Sequence, residues 1–286
     1  MARLVYLGTP EAAVPPLRAL VGAGHDIALV VSRADKRRGR GSQTVPSPVK
    51  AAALELGLPV TDDLAEATRA GAELGVVVAY GRIVPVAVLH ELPMVNLHFS
   101  LLPRWRGAAP VERALLEGDA ETGVCLMAVE AGLDTGPVYA TEAVAIDPEE
   151  SAEELRARLV DLGCRMLVAH LADGRAGLPV PHDQAGSPSY AEKVAPHELE
   201  LDWERPATHL RRVVRLGRAW TTFRGRRLGV LAAGGVPGEG VGAGPLAPGE
   251  LRGVEVGAGD GTSLLLRTVQ PEGRRPGTAP GTAPDR

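Results

Sequence analysis

Asn96 and His98 stand two residues apart in the apolar run "MVNLHF" (94–99), which leads into the loop "SLLPRWRGAAP" (100–110). In an extended strand, alternate side chains share a face, so the amide and the imidazole project side by side. An amide N–H can stabilise an oxyanion, and an imidazole moves protons near neutral pH. A carboxylate comes from "AGLDTGPV" (131–138), where Asp134 lies between glycines just after the next apolar run. Taken singly, none of these says much. A lone histidine is more often packed or solvated than reactive, and an aspartate among glycines is commonly a turn residue. Together they supply an amide donor, a proton carrier and a charge, which suits acyl transfer to an amine with no covalent enzyme intermediate.

Competing chemistries lack their signatures. Neither HExxH nor a Cys/His cluster is present, so no metal is expected. One glycine in "LGTP" (7–10) is not a GxGxxG fingerprint, which disfavours dinucleotides. Ser100 has no G-x-S-x-G elbow around it. The 286 residues are 45% hydrophobic and 23% charged with a net charge of −4, a globular composition with no global attraction to nucleic acid. Cys125 and Cys164 form no framework, no apolar run has the length of a membrane span, and "MARLVYLGTP" lacks a leader pattern. A cytoplasmic protein that avoids membranes is expected.

The elements that must position these residues follow from periodicity. "RLVYLG" (3–8), "DIALVVS" (26–32), "LGVVVAYG" (74–81), "MVNLHF" (94–99) and "GVCLMAV" (123–129) are continuous apolar strands, as in a sheet covered on both faces. A helix follows the first strand, and others are expected at 48–56, 84–91 and 110–117. Ser151 and Glu154 form a capping-box signature at the start of a helix spanning 151–171. The fold expected is α/β: a doubly wound, Rossmann-like domain over 1–180, then a linker over 181–200. A small OB-like β-barrel follows over 201–272, and a disordered tail over 273–286, where GTAP repeats.

The motifs "LGTPEAAVPPL", "GRGSQTVPSPVK", "VVVAYGRIVP", "LLPRWRGAAP", "GDAETGV", "GLDTG" and "SYAEKV" run from residue 7 to 194. In order and approximate spacing they resemble the 10-formyltetrahydrofolate-dependent formyltransferases. The resemblance implies that Asn96, His98 and Asp134 are catalytic and that 10-formyltetrahydrofolate is the co-substrate. The folate would lie against Val78, Ala79, Tyr80, Gly81, Ser100, Leu101, Leu102, Pro103 and Asp134. Family members often carry Gly where this chain has Phe99. The wider motif set implies that the acceptor is the α-amine of methionine on initiator tRNA, giving N-formylmethionyl-tRNA and tetrahydrofolate for translation initiation. Two alternatives stay open: a small acceptor such as an amino sugar or an ornithine-like amine, and an inactive paralogue that binds folate or RNA.

Two basic stretches bear on the acceptor. The loop "SRADKRRGRGSQTVPSPVK" (32–50) carries six basic residues against one acid. In the family the matching loop enters the acceptor end of tRNA, which implicates Arg37, Arg38, Arg40 and Lys50. The second stretch, 205–227, is rich in arginine and lacks acids. It fits phosphate contacts through Arg211, Arg212 and Arg215. The family's "NPWP"-like turn is here "LGRAW" (216–220). A monomer is expected.

Overall fold

The apolar runs that open the chain become neighbours in one seven-stranded sheet of the computed structural model, which describes residues 1–37, 44–234 and 245–279. Its strands are β1 (Arg3–Gly8), β2 (Asp26–Val31), β3 (Val60–Thr61), β4 (Leu74–Val78), β5 (Met94–His98), β6 (Glu121–Ala128) and β7 (Val138–Ala145), in the order β7-β6-β5-β4-β1-β2-β3. From β3 to β5 all pairings are parallel. β1 pairs with β2 on one side and β4 on the other, so the order reverses there. Doubly wound folds hold ligands beyond the carboxyl ends of the strands at such a reversal. Here the loops after β1 and β4 are tied together, since Thr9 Oγ1 donates to the Tyr80 carbonyl at 3.1 Å.

The helices are α1 (Val14–Gly22), α2 (Pro48–Glu55), α3 (Val86–Glu91), α4 (Pro110–Glu117), α5 (Ala152–His170) and α6 (Ala207–Arg215). α5 starts at the expected capping box. Glu154 N–H donates to Ser151 Oγ at 3.2 Å, and Ser151 N–H donates to the Glu154 carboxylate at 2.8 Å. Those hydrogen bonds hold the Glu154 carboxyl below the usual glutamate range.

β6 departs from the parallel order of the strands before it. It runs antiparallel to β5, with Val95 opposite Ala128 and His98 opposite Cys125. The loop carrying Asp134 therefore leaves beside the first half of β5 and must fold across the sheet face to reach His98. Its base is closed where Ala128 N–H donates to the Pro137 carbonyl at 2.9 Å. Gly136 is required there, because a Cβ at that position would lie 2.1 Å from the Ala128 oxygen. β7 is an edge strand that the periodicity does not reveal.

The chain packs as two units, and the division is not a single cut along its length. The first holds Met1–Pro110, Glu121–Ala145 and Arg156–Glu192; the second holds Val111–Ala120, Ile146–Leu155 and the described residues from Lys193 onward. In the second, an antiparallel sheet runs in the order Trp220–Phe223, Arg226–Gly234, Ser263–Pro271, Glu255–Gly257, Leu251–Arg252. The buried residues Leu210, Val213 and Val214 of α6 contribute to this unit's core. The expected tail is partly structured: Gly277 and Thr278 pair with Val269 and Thr268, and Ala279 N–H donates to the Arg267 carbonyl. Residues 280–286 lie outside the described part.

The stretch 181–200 is not a free connector either. His182 exchanges two backbone hydrogen bonds with Val138, and Tyr190–Ala191 pairs in parallel with Arg106–Gly107. Polar and proline-rich composition reads as a linker when no periodicity is present, but these residues make backbone bonds to the first residue of β7 and to the two-residue strand Arg106–Gly107.

Candidate active site

Asn96 and His98 share a face of β5, while Leu97 between them points the other way and is buried beside Gly163 of α5. The Asp134 carboxylate lies over the polar face. Its Oδ1 is 3.4 Å from Asn96 Nδ2, its Oδ2 is 3.7 Å from His98 Nδ1, and the same Oδ2 accepts the Gly107 N–H at 2.8 Å. The opposite ring nitrogen, His98 Nε2, is 2.9 Å from the Trp105 carbonyl. A carbonyl only accepts, so this contact assigns the Nε2 proton and leaves Nδ1 as the nitrogen that gains or loses one. His98 is buried and the Asp134 side chain is 14% exposed.

Three non-glycine residues around this group adopt left-handed backbone conformations: Ala79 (φ 46°), Trp105 (φ 62°) and Asp134 (φ 52°). Each costs on the order of 1 kcal/mol or more, so neighbouring contacts must hold them. For Trp105 the clamp comes from Ser189, whose Oγ accepts the Trp105 N–H at 2.9 Å. Trp105, Ser189 and Gln184 are site residues that sequence reasoning misses. The signal for Ser189 is the "SYAEKV" motif that it opens, which lies inside the stretch that reads as a linker.

The residues expected to meet folate divide by orientation. Val78 and Tyr80 are buried, whereas Ala79 and Gly81 are exposed, so the 78–81 turn offers main chain outward. Arg33 Nη2 braces that turn by donating to the Gly81 carbonyl at 3.2 Å. Ser100 does not present its hydroxyl: it is fully buried and donates to the Arg104 carbonyl at 2.6 Å, closing the 100–104 turn. Leu102 packs against Cys125, Met127 and Val138. Leu101 and Pro103 are half-buried in the same turn, and Phe99 is buried.

The basic residues also divide. Lys50 is ion-paired with Asp35 at 2.9 Å, and Arg37 lies in a two-residue strand paired with Thr44. Arg38 and Arg40 lie outside the described residues. The three α6 arginines make intramolecular contacts. Arg211 pairs with Glu149 and donates to the Pro148 carbonyl. Arg212 donates to the Glu117 carbonyl at 3.1 Å, satisfying the open C-terminus of α4. Arg215 donates to the carbonyls of Glu150 and Asp147, both at 2.7 Å, and burial lowers its pKa. The sequence shows the acid-free stretch but not the backbone carbonyls that these arginines hydrogen-bond.

Outward-facing arginines lie one element further on. The hairpin of Trp220–Phe223 and Arg226–Gly234 turns through Arg224 and Gly225, both with positive φ, as a two-residue primed turn requires. Arg218, Arg224, Arg226 and Arg227 are exposed, and Phe223 is 43% exposed. Arg227 stacks over the Trp220 ring at 4.3 Å and Arg224 over Phe223 at 5.2 Å. Glu272 is the acid nearest in the pairing, its N–H donating to the Arg227 carbonyl.

Among the described residues, no group of three His, Cys, Asp or Glu could hold a metal ion, and no helix is long and apolar enough to cross a membrane. An amide, an imidazole and a carboxylate thus converge at the carboxyl end of β5 in a doubly wound sheet. The chain belongs to the formyl transferase family: the formyl transferase model matches residues 2–171, and the formyl transferase C-terminal domain model matches residues 193–283. Within it, the chain is similar to the methionyl-tRNA formyltransferase of Cereibacter sphaeroides, 42% identical over 289 residues, covering 96% of this chain and 93% of the relative. It is 48% identical over 258 residues to the methionyl-tRNA formyltransferase of Roseobacter denitrificans, covering 82% and 83%. Its fold is similar to that of an N-formyltransferase from Helicobacter canadensis solved in complex with folinic acid and dTDP-3-aminofucose, with a TM-score of 0.69. That match has 17% identity and covers 93% of this chain and 99% of the other.

Proposed function

We propose that this protein transfers the formyl group of 10-formyltetrahydrofolate to the α-amine of methionyl initiator tRNA in the cytoplasm. The observation that carries this reading is the convergence of Asn96, His98 and Asp134 in a chain 42% identical over nearly its whole length to a methionyl-tRNA formyltransferase. The folate ring is held against the main chain of the 78–81 turn, which faces outward, and beside the Asp134 loop.

The reaction needs one bond made and one broken. The methionyl amine attacks the formyl carbon on N10, and the carbonyl oxygen takes the negative charge. Asn96 makes one long contact to Asp134 and has a second N–H to give that oxyanion. The amine proton passes to His98 Nδ1, because Nε2 is already committed to the Trp105 carbonyl. Asp134 stabilises the resulting imidazolium, which then protonates N10 as the C–N10 bond breaks. Tetrahydrofolate and formylmethionyl-tRNA leave, and His98 returns to neutral.

For the acceptor, the loop of Arg37, Arg38, Arg40 and Lys50 and the outward hairpin arginines give the RNA phosphates their partners. Arg211, Arg212 and Arg215 have a structural role in the second unit. Labelled formyl-folate offered to charged initiator tRNA, free methionine and an amino sugar tests the reading. The expected outcome is label on methionyl-tRNA at far higher kcat/KM than on either free amine. Efficient formylation of a small amine with none on tRNA would overturn it.

A further inference from the structure

Gln184 occupies the stretch that composition marks as a connector, yet all four hydrogen-bonding positions of its side-chain amide are used. Nε2 donates to the carbonyls of Asp134 and Gly136, both at 2.9 Å. Oε1 accepts from Arg106 Nε at 3.1 Å and Nη2 at 2.7 Å. The partners fix the amide's orientation, because a flip would set N–H against guanidinium N–H and oxygen against carbonyl oxygen. One side chain thus joins the loop bearing Asp134 to the residue preceding Gly107, and the Gly107 N–H binds the Asp134 carboxylate. The link is short and closed: Gln184 to the Asp134 backbone, Asp134 to Gly107, Arg106 back to Gln184.

We infer that Gln184 is a positioning residue for the formyl transfer, holding Asp134 at its strained φ of 52° and aiming its carboxylate at His98 and Asn96. The inference rests on the function proposed above. Asp134 makes no close contact with either partner on β5, at 3.7 Å and 3.4 Å, so its placement depends on the loop and not on those contacts. A loop among Gly132 and Gly136 has little stiffness of its own. Gln184 spends its hydrogen bonds on Arg106, Asp134 and Gly136 and not on the 78–81 turn, so its loss should spare folate binding and slow the chemistry.

Two substitutions separate the halves of the amide. Gln184→Ala removes all four hydrogen bonds, whereas Gln184→Glu keeps an acceptor for Arg106 but sets carboxylate oxygens against the carbonyls of Asp134 and Gly136. Both should lower kcat ~10- to 100-fold, with KM for formyl-folate changed less than ~3-fold. In both, the Gly107 amide should exchange its hydrogen faster while core amides of β1 and β4 keep their protection, since only the local clamp is removed. A folded Gln184→Ala protein with kcat near wild type, or with its loss confined to KM for folate, would overturn the inference. So would an unchanged Gly107 exchange rate, whatever acceptor the enzyme uses. If the wild-type protein fails to formylate charged tRNA, the proposed function falls, and Gly107 exchange alone then decides the clamp.

Discussion

At the residue scale, a side chain's chemistry is readable where the type itself carries it, and unreadable where the backbone does. His98 shows both. Its pairing with Asn96 follows from strand alternation, but the Trp105 carbonyl that holds Nε2 has no residue identity to read. Replacing His98 by Ala should cut turnover at least ~10²-fold while folate binding persists, because the proposed mechanism gives the ring the amine proton and no contact with the pteridine. Isothermal titration with folate beside single-turnover transfer checks the pair of outcomes; a folded His98→Ala protein with near-normal turnover removes the assignment. Asn96→Ala should lose ~10²–10³ in kcat, as when one oxyanion donor is deleted. The bond made by Ser100 is equally hidden. The residue stands in a motif of the right family, and its hydroxyl closes a turn. Gln184 is hidden for a different reason, since a glutamine among prolines and glycines carries no pattern that distinguishes a clamp from a solvated loop.

At the element scale, the buried strands are legible because a sheet covered on both faces needs apolar runs, and β1, β2 and β4 have them. β7 is not, since "VYATEAVA" is half-exposed at the sheet edge and shows neither a full run nor a clean alternation. The direction of β6 is equally hidden, because an apolar run looks the same parallel or antiparallel. Ionic contacts between elements are a further layer invisible in sequence. Arg113 of α4 makes a two-pronged pair with Glu198, at 2.6 Å and 3.1 Å, which draws the Glu198 carboxyl below the usual glutamate range, with hydrogen bonding to Arg113 as the main cause. A carboxyl depressed in the folded state stabilises the fold above its unfolded pKa, and that contribution disappears as pH falls through the folded value. Arg113→Ala should therefore cost on the order of 1 kcal/mol at neutral pH, and the gap to wild type should close in acid. Denaturant titrations of both proteins at neutral and acidic pH measure it; a gap that stays constant across pH would assign the loss to packing.

At the scale of the whole molecule, the net charge of −4 and the basic hairpin of the second unit coexist because charge is local. The second unit is assembled from three stretches, including Val111–Ala120 and Ile146–Leu155, which are bound by Arg212 and by Arg211 and Arg215. Truncation near residue 195 would leave those stretches without their partners, so it cannot isolate an RNA-binding role. Substitution on the outward face can. Arg224, Arg226 and Arg227 are exposed and ride on a hairpin whose register is set by backbone pairing and not by their charges. Changing all three to Ala should leave the fold intact and raise KM for charged tRNA while kcat and folate binding hold. With wild type, affinity for charged tRNA should fall ~10-fold or more over a fourfold rise in salt, because phosphate contacts release counterions. In the triple variant the slope of log affinity against log salt should be shallower by ~2–3, about one unit for each phosphate that no longer meets an arginine. The same changes at Arg211, Arg212 and Arg215 should instead lower the melting temperature, because their partners are the backbone and acids of this chain. A triple hairpin variant with the wild-type salt slope would place the RNA elsewhere and leave the exposed arginines without a role in this reaction.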